Sequence, residues 1–215
     1  KSEKIVATLE LMGYTLMTHA KHEKFVLLKG TGSNGKSKII GTLEALCGTD
    51  NISGVQPSKF DSPFQRAHMQ YKLANLVTEL KQGEVLADAE LKAITSGEPA
   101  TVEHKNKDPF VMRPYATCWF GTNHLPHTRD FSEAFFRRAV VLDFNRVFGE
   151  QEKDPNLLDK LTAELSGILN LCLNAYAAAL QFGFTDPSSS KVAKQKWRLE
   201  TDQVQQFVSE SCLMG

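Results

Sequence analysis

Gly30-Thr31-Gly32-Ser33-Asn34-Gly35-Lys36-Ser37 satisfies the pattern G-x-x-x-x-G-K-[ST] at every fixed position. Its flanks agree with that reading. Phe25-Val26-Leu27-Leu28 ahead of it is a short apolar run of strand character. Lys38–Leu46 behind it spaces Ile39, Ile40, Leu43 and Leu46 near one side of a helix. Phosphate binding needs this strand, glycine-rich turn and new helix. The glycines let backbone N–H groups turn inward to phosphate oxygens, and the helix presents its positive dipole end to them. Gly30, Thr31, Gly32, Ser33, Asn34, Gly35, Lys36, Ser37 and Lys38 are therefore expected to hold a nucleoside triphosphate. Lys36 would reach the β- and γ-phosphates and the Ser37 hydroxyl would bind Mg²⁺.

Working outward, Ile5, Leu9, Met12 and Leu16 predict a helix up to about Thr18. A short strand is expected near Ile52–Val55, a buried strand over Lys72–Thr78 ending at Glu79, and further strands over Thr117–Gly121 and Ala139–Phe144. Asp88 reads as the N-cap of a helix through Ile94 closed by Gly97. Ala100–Val111 reads as a hairpin around Glu103-His104-Lys105-Asn106-Lys107. Asp154-Pro155 predicts a cap and first-turn proline, with helix to Phe182, a break at Gly167 and a stop at Gly183. Asp186-Pro187-Ser188-Ser189-Ser190 reads as a linker, and Lys191–Cys212 as two short helices. Strands alternating with helices predict an α/β domain with a mostly parallel sheet.

Composition sets bounds. A chain of 215 residues with zero formal net charge can bury one good core, and it is not a broadly basic nucleic-acid coat, although a local basic strip remains compatible. No apolar run was expected to reach the roughly 20 residues of a membrane span, and no partner membrane is expected. Cys47, Cys118, Cys172 and Cys212 are scattered and read as reduced thiols of a cytoplasmic protein. The first residue is Lys1 rather than Met, which fits a piece of a longer polypeptide.

Other residues carry chemistry. Glu79 ends an apolar strand, where ligands of open α/β sheets gather; it could hold Mg²⁺ through water or polarise the attacking water. Asn123 follows Thr117–Gly121 in the same way and could orient water or sense the γ-phosphate, or be an ordinary turn asparagine. Arg137 and Arg138 precede a buried strand and are candidates for an arginine finger, the alternative being a surface ion pair. His104, Lys105 and Lys107 at the hairpin tip suit contact with a phosphate backbone, the alternative being a solvated loop. His124, His127 and Asp130 do not make a credible zinc site, because Pro126 denies them helical spacing.

These pieces in this order resemble the superfamily 3 helicase domain of phage and plasmid primase–helicases, related to the poxvirus primase–helicase. Gly30–Ser37 matches Walker A, with the Asn34 that this family favours. Ala74-Asn75-Leu76-Val77-Thr78-Glu79-Leu80 resembles Walker B. Leu91–Glu98 resembles the segment leading to a DNA-contacting hairpin, Phe120-Gly121-Thr122-Asn123-His124-Leu125-Pro126 the sensor motif, and Phe136-Arg137-Arg138 the arginine-finger region. Many relatives carry two acidic residues where this chain has Thr78-Glu79, leaving one carboxylate for the metal and water roles. The resemblance implies an AAA+-type phosphate-loop core with a parallel sheet flanked by helices. It further implies ATP and Mg²⁺ as cofactors, a hexameric ring with ATP between subunits, single-stranded or forked DNA as partner, and a primase or polymerase domain in the parent protein. The expected division is a helical segment 1–23, an ATPase core 24–150, a helical lid 151–185, and a linker with the start of a winged-helix-like region at 186–215. Its expected place is the cytoplasm of a host cell. Non-helicase alternatives are another phosphate-loop motor or switch, or a nucleotide-gated DNA-binding or assembly module.

Overall fold

A computed structural model describes residues 2–201. The chain runs through α1 (Ser2–Thr15), β1 (Phe25–Lys29), α2 (Lys36–Cys47), β2 (Ile52–Ser53), α3 (Pro63–Ala67), β3 (Ala74–Val77), α4 (Asp88–Ser96), β4 (Ala100–Val102), β5 (Phe110–Met112), β6 (Thr117–Thr122), α5 (Glu133–Phe136), β7 (Ala139–Asp143), α6 (Leu157–Ala163), α7 (Leu165–Phe182) and α8 (Ser188–Thr201). Five strands form a wholly parallel sheet in the order β2-β3-β6-β1-β7. Such a sheet is covered on both faces, which is why its strands are mostly apolar rather than alternating. Phe25, Leu27, Val77, Phe120 and Val141 face one core with residues of α3, α4, the β4–β5 hairpin, α5 and α8. Val26, Leu28, Leu76, Trp119, Val140 and Leu142 face the other with α1, α2 and α7.

Strand alternation decides which core each residue enters, and the connections decide where chemistry can occur. The phosphate loop leaves the carboxyl end of β1, Glu79 lies two residues beyond β3, and Asn123 lies one beyond β6. These three exits lie on adjacent strands, β3-β6-β1, so they meet along one edge of the sheet. Gly121 permits the meeting. A Cβ there would lie 2.1 Å from the Thr78 carbonyl oxygen, and the Leu80 N–H donates to the Gly121 carbonyl at 2.8 Å.

At the other side, β2 is only two residues long and leans on a side chain. The fully buried Asn75 donates to the Val55 carbonyl at 2.9 Å and accepts from the Val55 N–H at 2.8 Å and the Ser53 hydroxyl at 2.9 Å.

Several local expectations change. Ala87, not Asp88, is the residue before α4, because the Asp88 carboxylate is taken by the Thr128 hydroxyl at 2.7 Å and the Arg129 N–H at 2.8 Å. Gly97 does close that helix, at φ 67°. Asp154 caps only a turn, accepting from the Asn156 N–H at 3.0 Å, and the helix starts at Leu157. The break falls at Glu164, where φ is −100° and ψ 10°, rather than at Gly167.

Asp186–Ser190 is not wholly a linker, since α8 begins at Ser188. Fully buried Ser190 accepts the Val141 N–H at 3.0 Å, and the buried Trp197 indole donates to the Pro126 carbonyl at 2.7 Å. The helix thus shields β7, an edge strand whose free N–H groups need partners. The expected second short helix after Thr201, with Cys212, lies outside the described residues. Cys47, Cys118 and Cys172 are free and buried.

One run is longer and more apolar than expected. The 18 residues of α7 contain no Asp, Glu, Lys or Arg, and by length and composition alone they could cross a membrane. In the fold α7 lies along α1, burying Cys172, Tyr176 and Ala179, with Gly13 at the close approach.

Candidate nucleotide-binding site

The phosphate loop owes its shape to two kinds of glycine. Gly32 and Gly35 sit at φ 104° and 90°, in the left-handed region that other residues avoid. Gly30 is needed for space, since a Cβ there would fall 2.2 Å from Asn34 Nδ2 and 2.5 Å from the Phe144 carbonyl oxygen. The loop is stitched to its neighbours. The Gly30 N–H donates to the Thr122 carbonyl at 3.0 Å, Asn34 Nδ2 to the Phe144 carbonyl at 3.2 Å, and the Phe148 N–H to the Ser33 carbonyl at 2.8 Å. These bonds fix the loop against β6 and the chain that follows β7.

Lys36, the first residue of α2, is 8% exposed. Its ammonium donates to the Gly30 carbonyl, to Asn34 Oδ1 at 3.2 Å and to Asn123 Oδ1 at 3.4 Å. Burial pushes its pKa below that of an ordinary lysine, and nearby Glu79 partly opposes this. All three acceptors are neutral oxygens, so the positive charge is left uncompensated by direct contact, as suits a receptor for an anion. Asn123 continues the chain of contacts, its Nδ2 donating to Glu79 Oε1 at 3.3 Å. Lys36, Asn123 and Glu79, 87 and 44 residues apart along the chain, are thereby in one network.

These residues line a cavity of about 710 Å³ with Gly32–Lys38, Thr78 and Thr122. Ser37 and Glu79 both lie on this wall and are exposed to it, so an oxygen-liganded cation beside bound phosphates fits the donor set. Gly30 and Thr31 belong to the loop but do not line the cavity. A second part of the lining lies outside the expected site residues. It is built from Phe148, Glu150, Glu152–Pro155 and Leu157, after the exit of β7. The available signal was the isolated aromatic Phe148 and Pro155 in a polar stretch.

Arg137 and Arg138 are not part of this cavity. The Arg138 carbonyl accepts the Phe25 N–H at 2.9 Å, at the amino end of β1. The arginines therefore lie a strand's length from Lys36, roughly 13–16 Å at 3.3 Å per residue. The two differ from each other. Arg138, 8% exposed, donates to Ser96 Oγ and to Glu23, each at 2.9 Å, and to the Ala134 carbonyl. The Arg137 side chain is 59% exposed and shares the same Glu23 oxygen at 2.9 Å.

The hairpin pairs Ala100 with Met112, Thr101 with Val111 and Val102 with Phe110. At its tip the Lys107 N–H donates to the His104 carbonyl at 3.0 Å and Asn106 takes φ 62°. Lys105 and Lys107 are exposed, whereas the half-buried His104 ring lies 5.4 Å from Phe110 and 6.2 Å from His68.

Residues 28–138, just over half of the chain, match the model of a family described as "Family of unknown function (DUF5906)". Over 94% of its length the chain is 21% identical to a protein of Acanthamoeba polyphaga mimivirus named "Putative helicase L207/L206", of which it spans 24%. Its fold is similar to the apo structure of the NrS-1 C terminal region. One form gives a TM-score of 0.66 at 15% identity over 94% of this chain and 51% of that one. A second gives 0.61 at 14% identity over 100% and 60%. The chain thus spans a quarter of the mimivirus protein and between half and two thirds of the NrS-1 chains. With its central half matched by the family model, the chain belongs to the family of unknown function DUF5906.

Proposed function

We propose that this chain is the ATP-hydrolysing core of a helicase of the superfamily 3 type, acting on DNA in the replication of a phage, plasmid or related mobile element. The observation that carries this reading is the Lys36–Asn123–Glu79 network beside the glycine loop, in a cavity large enough for a nucleotide. The helicase name of the mimivirus relative supports the coupling of hydrolysis to strand unwinding.

In this reading backbone N–H groups of Gly32–Ser37 cradle the phosphates. Lys36 leaves the Gly30 carbonyl and turns to the β- and γ-phosphate oxygens. Ser37 and Glu79 would hold Mg²⁺, which supplies positive charge between the phosphates. Glu79 takes a proton from the attacking water, and Asn123, held between Glu79 and Lys36, orients that water against the γ-phosphate. Arg137 reaches the nucleotide of a neighbouring copy in a ring, since it is exposed and lies too far from its own Lys36. Arg138 braces it through their shared carboxylate, Glu23. Lys105 and Lys107 grip the single-stranded phosphate backbone, with His104 stiffening the hairpin. A primase or polymerase domain would accompany this core in the parent protein.

The test is ATPase activity with and without single-stranded DNA, together with strand displacement on a forked duplex. The reading expects DNA-stimulated hydrolysis and unwinding that both vanish in Lys36→Ala. Hydrolysis without stimulation or unwinding, in a parent protein that assembles, would leave a phosphate-loop switch and reject the helicase reading.

A further inference from the structure

The cavity wall formed by the chain after β7 has a composition that the phosphate chemistry does not explain. Phe148 lines it, and its N–H is bonded to the Ser33 carbonyl at 2.8 Å, which ties the Phe148 backbone to the phosphate loop. The guanidinium of Arg146 lies 4.7 Å from the Phe148 ring centroid. Arg146 is itself held at 2.6 Å by Glu152 Oε1, while Glu152 Oε2 accepts the Gly149 N–H at 3.1 Å. The ring is therefore supported by an arginine that a carboxylate and a tight turn keep in place. Pro155 and Leu157 add apolar surface to the same wall.

The charged groups of this wall are already engaged. Glu152 uses both oxygens as described, Lys153 pairs with Glu150, and Asp154 accepts from the Asn156 N–H at 3.0 Å and from Lys160 at 2.7 Å. Base recognition by hydrogen bonding needs free donors and acceptors aimed at the base edge, and strong discrimination comes from such groups. An aromatic face with paired charges around it offers stacking instead, which every base can accept.

We infer that Phe148 is the platform on which the base of the bound nucleoside triphosphate stacks, and that the site distinguishes poorly between ATP and GTP. This rests on the nucleotide-site reading above and adds to it the group that holds the base and the breadth of substrate. Arg146 and Glu152 act as positioning residues behind the ring.

Calorimetric titration separates this inference from the reading beneath it. The probes are the non-hydrolysable imido analogues of ATP and GTP, and inorganic tripolyphosphate, against the wild-type chain, Phe148→Ala and Phe148→Tyr. The two analogues should bind within about tenfold of each other, because the charged side chains described on this wall are paired with one another rather than free to read a base edge. Phe148→Ala should weaken both by about tenfold or more while leaving tripolyphosphate unchanged, and Phe148→Tyr should restore the affinity. An ATP preference above about 100-fold, an unchanged affinity in Phe148→Ala, or an equal loss for tripolyphosphate overturns the platform. If neither analogue nor tripolyphosphate binds the wild-type chain, the nucleotide site itself fails and the platform with it.

Discussion

Gly121→Ala adds one methyl group at the point where the exits of β3 and β6 touch. The new Cβ would lie 2.1 Å from the Thr78 carbonyl oxygen and 2.9 Å from its carbonyl carbon, whereas real Cβ contacts do not fall below 3.0 Å. Relief therefore requires about 1 Å of separation, and the obstacle is backbone rather than a flexible side chain. The residue that moves with Thr78 is Glu79. Its 3.3 Å bond from Asn123 breaks, and the Leu80 N–H bond to the Gly121 carbonyl at 2.8 Å stretches. The phosphate loop keeps two anchors away from this contact, at Phe144 and Phe148, so nucleotide binding should change little. A misplacement of about 1 Å in a catalytic group costs on the order of 10²-fold in rate, and the overpacking costs about 1–3 kcal/mol of stability. The expected result is kcat down about 100-fold, ATP affinity within a few-fold of wild type, and a lowered Tm. The assays are steady-state ATPase kinetics, equilibrium ATP binding and thermal unfolding. A folded Gly121→Ala protein that turns over ATP at the wild-type rate would refute the claim that the position of Glu79 governs hydrolysis.

Asn75→Ala leaves the Val55 N–H and carbonyl without their partner in a buried setting, so thermal unfolding should show a loss of about 2–4 kcal/mol; an unchanged Tm would mean β2 does not depend on that side chain. Lys105→Ala/Lys107→Ala should weaken single-stranded DNA binding by the assembled parent protein and flatten its salt dependence by up to about two counterions, with basal ATPase retained; an unchanged slope of log affinity against log salt removes the hairpin tip from the DNA path. Arg137→Ala should reduce the ATPase rate of assembled rings by about 10³–10⁵ without lowering Tm, whereas Arg138→Ala should lower Tm. Mixing Arg137→Ala with Lys36→Ala subunits should restore part of the activity, and mixed rings without recovery would exclude action across the interface.

How much could be read from the residues depended on how local the signal was. The strands β1, β3, β6 and β7 are buried on both faces, so each is mostly apolar, and the phosphate loop marks the start of α2 by its glycines. The strand β2 is too short to have a pattern, and its stability comes from Asn75 on a different strand. The start of α8 was hidden because Pro187 and three serines look like a linker; Ser190 lies in the helix, and its hydroxyl accepts the Val141 N–H of an edge strand. In α7 the polar Ser166, Asn170, Asn174 and Gln181 interrupt the apolar pattern, although none of its 18 residues is charged. The Phe148 wall has no periodicity, and only the return of the chain after β7 brings it to Ser33. Arg137 and Arg138 are equivalent on paper, yet one side chain points out and the other is enclosed by Ser96, Ala134 and Glu23.

The most direct test of the central claim is ATP binding and turnover measured side by side in the wild-type chain and in Glu79→Gln, in the assembled parent where assembly is required. The amide keeps the shape of Glu79 and its place beside Asn123 but cannot take a proton from water. The account expects ATP to bind Glu79→Gln about as tightly as wild type while hydrolysis falls by about 10²–10⁴-fold. Hydrolysis by Glu79→Gln at the wild-type rate would contradict it.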